Sequence, residues 1–254
     1  MESARLITGV AWFTVLAAVV TAYAAGHWLG RRRRASGGKT GSIDTAQGSL
    51  LALLGLLLAF SFSSAAGRFA DRQDLILQEA NAIGTAYLRA DLLAPAHADE
   101  LRAALKAYTA ERVTFFALGA NRTGVMASIG RAEQLQKRIW SAGVAGVKET
   151  PTATVVVLQS LNEVIDLHAS RVEALYRHLP PAVVVLLLVT AALAVGSVGF
   201  GTGVSGGGHL VGNLIFVVVT ASVLALTLDL DYPRAGVVQA EQRPMLDLQR
   251  SLGE

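Results

Sequence analysis

The chain has 254 residues, of which 52% are hydrophobic and 16% charged. Soluble domains carry about 25% charged residues, so the shortfall predicts apolar surface that faces lipid. The absence of cysteine excludes disulfides, thiol catalysis and thiolate metal sites, and the net charge of +3 is too local to predict nucleic-acid binding.

The first predicted element is a membrane-spanning helix over residues 6–29. Its positive charges follow the apolar run, whereas a signal peptide carries them before it, so the pattern indicates a retained transmembrane helix. Near its end, Gly26 and Gly30 form a small-xxx-small pair, which is typical of a face that packs against another helix.

A short basic loop follows this span and is dominated by Arg31, Arg32, Arg33 and Arg34. No aromatic residue interleaves the arginines, which favours a topology anchor over a nucleic-acid site. Cations concentrate in short cytoplasmic loops, so the charge rule predicts that this loop is cytoplasmic and that both termini lie on the opposite side of the membrane.

The second predicted helix, residues 43–93, begins as a membrane-length apolar run and continues as a charged segment without a break. At 100° per residue, one stripe of this helix contains Leu54, Leu57, Ser61, Ser64, Arg68 and Arg72. A hydroxyl-and-arginine stripe faces protein or water, because hydrocarbon offers it no partners. We therefore predict that these six residues line a pore. For Arg68 and Arg72, snorkelling to lipid headgroups is the alternative interpretation.

Residues 68–179 are predicted to form helices only, since no segment alternates with the period of two that a strand requires. Proline and glycine positions place the helix boundaries. The first helix ends by Pro95, and three more follow over residues 99–118, 125–141 (bounded by Gly124 and Gly143) and 151–179, with Thr150 as the cap of the last. A small helical bundle follows from this pattern.

The third and fourth membrane spans are predicted over residues 182–200 and 210–228. Between them, Gly201-Thr-Gly-Val-Ser-Gly206 has the letters of a dinucleotide fingerprint. That fingerprint requires a preceding strand, and here both flanks are membrane helices, so we interpret it as a flexible turn. Asp229 and Asp231 fit either a functional site, as cation ligands or at the mouth of a pore, or a solvated helix end.

Together these patterns predict an all-α integral membrane protein with four transmembrane helices and a helical extramembrane insertion between the second and third. The predicted divisions are residues 1–66, 67–179, 180–230 and 231–254. No nucleophile–base set, carboxylate pair or metal-ligand spacing among the five histidines can be assembled. The sequence therefore predicts no enzyme, no cofactor and no metal site.

Several stretches together are similar to the bestrophin-like membrane family of bacteria and plants. They are residues 53–63, Arg68 with Arg72, residues 79–89, 101–108, 161–166 with Arg171, and 229–236. Residues 58–72 also resemble the pore helix of true bestrophins, which are pentameric anion channels, although Ala59 stands where that helix has glycine.

The resemblance implies a homo-oligomer, a pentamer, that lies in the lipid bilayer of the cell (inner) membrane as a multi-pass channel, conducting anions in preference to cations. It also implies a cytoplasmic insertion, which conflicts with the charge rule, and the two topologies stay open. A non-conducting interaction or sensory module is the alternative function. In a channel the polar stripe would converge on a symmetry axis, whereas in a scaffold it would be buried against helices of its own subunit.

Overall fold

The structure, a computed structural model, describes residues 2–36, 43–119, 121–206, 210–232 and 236–253, and these residues contain no strand. The helices are α1 (Glu2–Ala35), α2 (Ile43–Arg89), α3 (Pro95–Ala117), α4 (Arg122–Glu149), α5 (Thr154–Tyr176), α6 (Pro181–Ser205), α7 (Leu210–Asp231) and α8 (Arg243–Gly253). Short 3-10 turns, Ala90–Leu92 and Pro151–Ala153, precede α3 and α5. The predicted all-α class is confirmed.

Four of these helices, α1, α2, α6 and α7, are long and apolar enough to cross a membrane. Helix α2 has 47 residues, which is about 70 Å at the rise of an α-helix and more than twice the thickness of the hydrocarbon core. Its second half therefore extends beyond the membrane. The predicted insertion between the second and third transmembrane helices is confirmed.

Residues 2–68 and 178–238 form one compact unit, in which α1 packs along α6. Glycines on both helices make this approach close. A Cβ added at Gly199 would overlap the carbonyl oxygen of Tyr23 and lie 3.0 Å from the nitrogen of His27. Gly26 and Gly30 meet α6 in the same way, at Gly196 and at Phe200. The small-xxx-small pair of the sequence is thus a helix-packing face.

The glycine-rich stretch after this face is not the flexible turn that the sequence predicted. Helix α6 continues to Ser205 and ends at Gly206, whose φ of 88° is left-handed. Gly203 lies within this helix, and the absence of a side chain there leaves room for the carbonyl of His27. Helix α1 likewise continues to Ala35, so Arg31–Arg34 form its last turns rather than a loop.

Residues 69–177 and 239–253 belong to a second compact unit, a helical bundle. Helix α4 passes through Gly143, which the sequence predicted as its end, because that glycine accommodates the Leu161 side chain. Thr150 does not cap α5 with its side chain, since its hydroxyl donates to the Gly146 carbonyl of α4. The amphipathic α8 packs on α3 and buries Met245 and Leu252.

Candidate functional site

The predicted pore stripe lies mainly against neighbouring helices of the same subunit. Leu54 and Ser61 are buried, with exposed fractions of 2% and 4%, and Leu57 is partly buried. Ser64 is exposed and accepts a hydrogen bond of 2.8 Å from Nη1 of Arg68. Nε of Arg68 donates to Oδ1 of Asp231 at 3.2 Å.

Arg72, the last residue of the stripe, is buried at the end of α5. Its Nε donates to the carbonyl of Ala174 at 3.0 Å, and its Nη2 donates to that of Arg177 at 2.6 Å. A cation at a helix C-terminus satisfies carbonyls that have no partner within the helix. Both arginines of the stripe are therefore engaged by their own subunit. The assignment of the six residues to a pore stays a prediction.

Asp231 connects the end of α7 to the start of α6. The side chain is buried, and its two carboxylate oxygens accept from the amide of Leu179 at 3.1 and 3.0 Å, in addition to the bond from Arg68. Nδ1 of His178 lies 3.0 Å from the main-chain oxygen of Asp231, and its ring stacks on Tyr232. This carboxylate therefore fixes a helix junction and compensates the charge of Arg68.

Asp229 closes the turn that follows α7. It is buried, and its Oδ1 and Oδ2 accept from the amides of Val237 and Val238, each at 2.9 Å. A Cβ at Gly236 would lie 2.7 Å from Oδ1, so the turn fits tightly around the carboxylate. Neither aspartate is a solvated helix end, and the described residues hold no cluster of three or more metal-ligating side chains.

A second face of α2, which the sequence analysis did not single out, is turned away from the rest of the subunit. Small exposed residues form this small-residue face: Gly48, Ala52, Gly55, Ala59, Ser63 and Gly67. A Cβ added at any of its three glycines would meet nothing within 4 Å. The exposed Leu56 and Phe60 lie beside it. Small residues repeat along this helix at spacings of three and four, and this repeat could have identified the face from the sequence. The sequence analysis assigned the pore to the polar stripe instead.

The extramembrane bundle contains a buried ionic cluster around Glu79. Oε1 of this carboxylate accepts from the hydroxyl of Tyr108 at 2.5 Å and lies 3.0 Å from Nε of Arg112. Nη1 of Arg171 binds Oε2. Glu79, Tyr108 and Arg112 are wholly buried. The sequence analysis did not identify this cluster, because the partners of Glu79 and His168 are distant in the chain.

Burial and charge move the proton affinities within this cluster. Burial alone would raise the pKa of Glu79, but the charges of Arg171 and Arg112 hold that pKa below its usual value. Burial and the neighbouring Glu79 raise the pKa of Tyr108 well above 10. Burial, together with the charge of Arg112, lowers the pKa of His168 to about 4. At neutral pH the cluster therefore holds two guanidinium ions, one carboxylate and a neutral imidazole.

The hydrogen bonds determine which nitrogen of His168 carries the proton. The Tyr108 hydroxyl donates to Glu79, so it accepts from Nδ1 of His168 at 3.2 Å, and we assign the hydrogen to Nδ1 on this basis. Nε2 of His168 is then a bare acceptor. Among the described residues, this atom and both Nη1 and Nη2 of Arg112 are buried without a hydrogen-bond partner.

Comparisons with known proteins agree with this architecture. A family model described as the bestrophin-like domain matches residues 12–245. The fold is similar to the crystal structure of a bacterial bestrophin homologue from Klebsiella pneumoniae that carries one tryptophan-to-alanine mutation. That likeness has a TM-score of 0.70 at 14% sequence identity and covers 94% of this chain and 96% of that one.

A second similar structure is the crystal structure of a membrane protein that carries one serine-to-alanine mutation. Its TM-score is 0.64 at 15% identity, over 97% of this chain and 95% of that one. No curated protein matches the chain in sequence. At these identities the structural likenesses establish the fold alone.

Proposed function

The chain belongs to the bestrophin-like family, and we propose that it forms a homo-oligomeric channel, multi-pass in the cell (inner) membrane, that conducts anions in preference to cations. The family and the similar structures support a membrane channel-like protein. The observation on this chain that carries the proposal is the exposed small-residue face of α2, whose glycines meet nothing in their own subunit.

Small residues on a membrane helix allow another helix or a permeating species to approach its backbone. Lipid tails do not require such a face, because large apolar side chains are equally compatible with them. Closed symmetry would turn the same face of every copy toward one axis. Hydroxyls such as that of Ser63 can replace part of an ion's hydration, and apolar neighbours such as Leu56 and Phe60 can gate by excluding water.

Of the predicted stripe, Ser64 and Arg68 keep a place in this proposal, at one mouth of the pore. Ser64 is exposed, and Arg68 is bonded to it. The carboxylate of Asp231 offsets much of the arginine's charge, so the preference for anions rests mainly on the family resemblance. A pentamer is the assembly that the resemblance implies.

One observation favours the alternative, a non-conducting interaction or sensory module anchored in the membrane. Ser61 and Arg72 are buried against helices of their own subunit, as expected if the polar stripe serves to assemble a scaffold. In that case the small-residue face would mediate association between helices without enclosing a water-filled route.

Cysteine accessibility separates these possibilities, because the chain contains no native cysteine. The full-length protein is reconstituted in planar bilayers under a chloride gradient, and a water-soluble cationic thiol reagent is applied to two variants. For Ser63→Cys, on the small-residue face, we expect most of the current to disappear and the reversal potential to shift further toward that of chloride, because the attached group is positively charged. For Ser61→Cys, the buried control on the same helix, we expect no change.

The opposite pattern, with block at position 61 and none at position 63, would assign the pore to the predicted stripe instead. Bilayers that contain verified oligomer yet stay silent across voltage and pH would favour the interaction module. A monomer in both detergent and nanodiscs would remove the shared pore altogether.

A further inference from the structure

The buried cluster around Glu79 carries more positive than negative charge. Arg112 and Arg171 both bind Glu79, and among the described residues no other carboxylate forms a salt bridge with either arginine. Glu111, next in the chain to Arg112, is close enough for the two charges to attract. Its oxygens, however, accept from Ser128 and from two nitrogens of Arg131, whose own positive charge balances that of Glu111. One positive charge therefore remains uncompensated in the interior of the bundle, where charges are ordinarily paired.

The unpaired charge lies at the outer end of the Arg112 side chain. Its Nε is used on Glu79, whereas Nη1 and Nη2 are buried and have no acceptor among the residues that the structure describes. The ring of Phe115, 4.7 Å from Cζ, covers the guanidinium without supplying a hydrogen-bond acceptor. Buried guanidinium hydrogens without partners are rare in folded proteins. A bound ligand that accepts hydrogen bonds from Nη1 and Nη2 would satisfy this end of Arg112.

We propose that the extramembrane bundle binds one small inorganic anion of halide size, held by Nη1 and Nη2 of Arg112 and facing the imidazole of His168. Water could accept the same hydrogen bonds, but it would leave the positive charge uncompensated. Because Arg112, Glu79 and Tyr108 are wholly buried, the ligand must be compact. The proposal concerns the bundle alone and does not depend on whether the chain conducts ions.

The position of His168 makes the site sensitive to protons. Its Nε2 is unprotonated and unpartnered, and its Nδ1 is bonded to Tyr108. The charged groups that act on the imidazole are Arg112, Glu79 and Arg171. An anion beside this nitrogen would favour the imidazolium form, since a negative charge stabilises a nearby cation. Anion binding and protonation of His168 should therefore strengthen each other.

The site is tested by thermal unfolding of the full-length protein in detergent. Tm is measured at increasing concentrations of chloride or bromide, with gluconate added so that the ionic strength stays constant. Above the dissociation constant, each tenfold increase in halide should raise Tm by about 3 °C. Arg112→Gln, which leaves Glu79 paired with Arg171, should abolish this dependence. Arg138→Gln, an exposed arginine on the same bundle, should retain it. Equal halide dependence in both variants would overturn the proposal.

Two measurements on the wild-type protein keep the test decisive if Arg112→Gln does not fold. The pKa of His168, measured by NMR of labelled histidine, should rise by at least about one pH unit when chloride replaces gluconate. Crystals grown in bromide should give an anomalous peak within hydrogen-bond distance of the Arg112 Nη atoms. An unchanged titration, or water alone at that position in bromide, would refute anion binding.

Discussion

The glycine contact between α1 and α6 should be among the most sensitive points of the membrane unit. Gly199→Ala and Gly203→Ala each place a methyl group against backbone of α1, where a Cβ at Gly203 would lie 2.9 Å from the nitrogen of Arg31. A flexible side chain could move aside, but a helix backbone cannot do so without moving the helix. We therefore expect each substitution to separate α1 from α6 locally.

The size of the effect follows from the overlap. Each methyl group also overlaps a carbonyl oxygen of α1, that of Tyr23 or that of His27, so the helices must part by about 1 Å, and overpacking of this kind costs about 1–3 kcal/mol. For a protein of this length, Tm should fall by about 2–12 °C. The double variant should lose less than the sum of the two, because the first methyl group already opens the contact for the second.

Gly212→Ala is the matched control, a glycine-to-alanine change in another membrane-spanning helix, α7, outside the small-residue face and at a position where a Cβ meets nothing within 4 Å. Its Tm should stay constant or rise slightly, since alanine is the better helix former. Unfolding is followed by intrinsic tryptophan fluorescence in detergent, with the oligomeric state checked for every variant. If Gly199→Ala proves as stable as Gly212→Ala, the close approach of α1 and α6 is wrong.

Three further predictions concern the bundle and the topology. Glu79→Gln removes the carboxylate that two buried arginines share and should lower the free energy of unfolding by about 3–5 kcal/mol, measured by thermal unfolding. Glu173→Gln, which removes one partner of an exposed ion pair, should leave the free energy of unfolding unchanged. The unfolded state protonates His168 near pH 6.5 and the folded state only near pH 4, so stability in gluconate should decline by up to about 3 kcal/mol across that window as pH falls, and His168→Gln should remove the decline. Under the charge rule, an impermeant thiol reagent should label Ala107→Cys and not Ser36→Cys in intact cells; the reverse result would place the insertion in the cytoplasm.

The helices and membrane spans could be predicted from the sequence because their signals are local. About twenty apolar residues indicate a span wherever they occur, and the absence of alternation excluded strands. Glycine was harder to interpret. Gly206 does end a helix in a left-handed conformation, whereas Gly143 and Gly203 lie inside helices and make room for another helix. Composition alone does not separate these roles, since only the tertiary contact shows what fills the space of the missing side chain.

Helical periodicity likewise predicted that the residues of the polar stripe share one face of α2, but it does not predict what that face contacts. Leu54, Ser61 and Arg72 do share a buried face of α2, as their spacing required. Whether that face meets its own subunit or a symmetry axis depends on distant residues. The partner of Arg68, Asp231, lies 163 positions later in the chain, and the buried arginines of Glu79 follow it by 33 and 92 positions. No local pattern links such pairs.

Because Arg68 is bonded within its own subunit, it is a poor position at which to test the proposed ion selectivity. Reversing its charge would place two carboxylates together at a helix junction that also includes the amide of Leu179, so a change in current would mix altered folding with altered permeation. Ser63 carries no such structural role, because its side chain is exposed on the small-residue face. If this face lines the proposed pore, a charge attached there would act on passing ions directly, at a strength set by the local dielectric and screening. Substitutions on the small-residue face of α2, rather than at its arginines, can therefore test the proposed conduction without disturbing the fold.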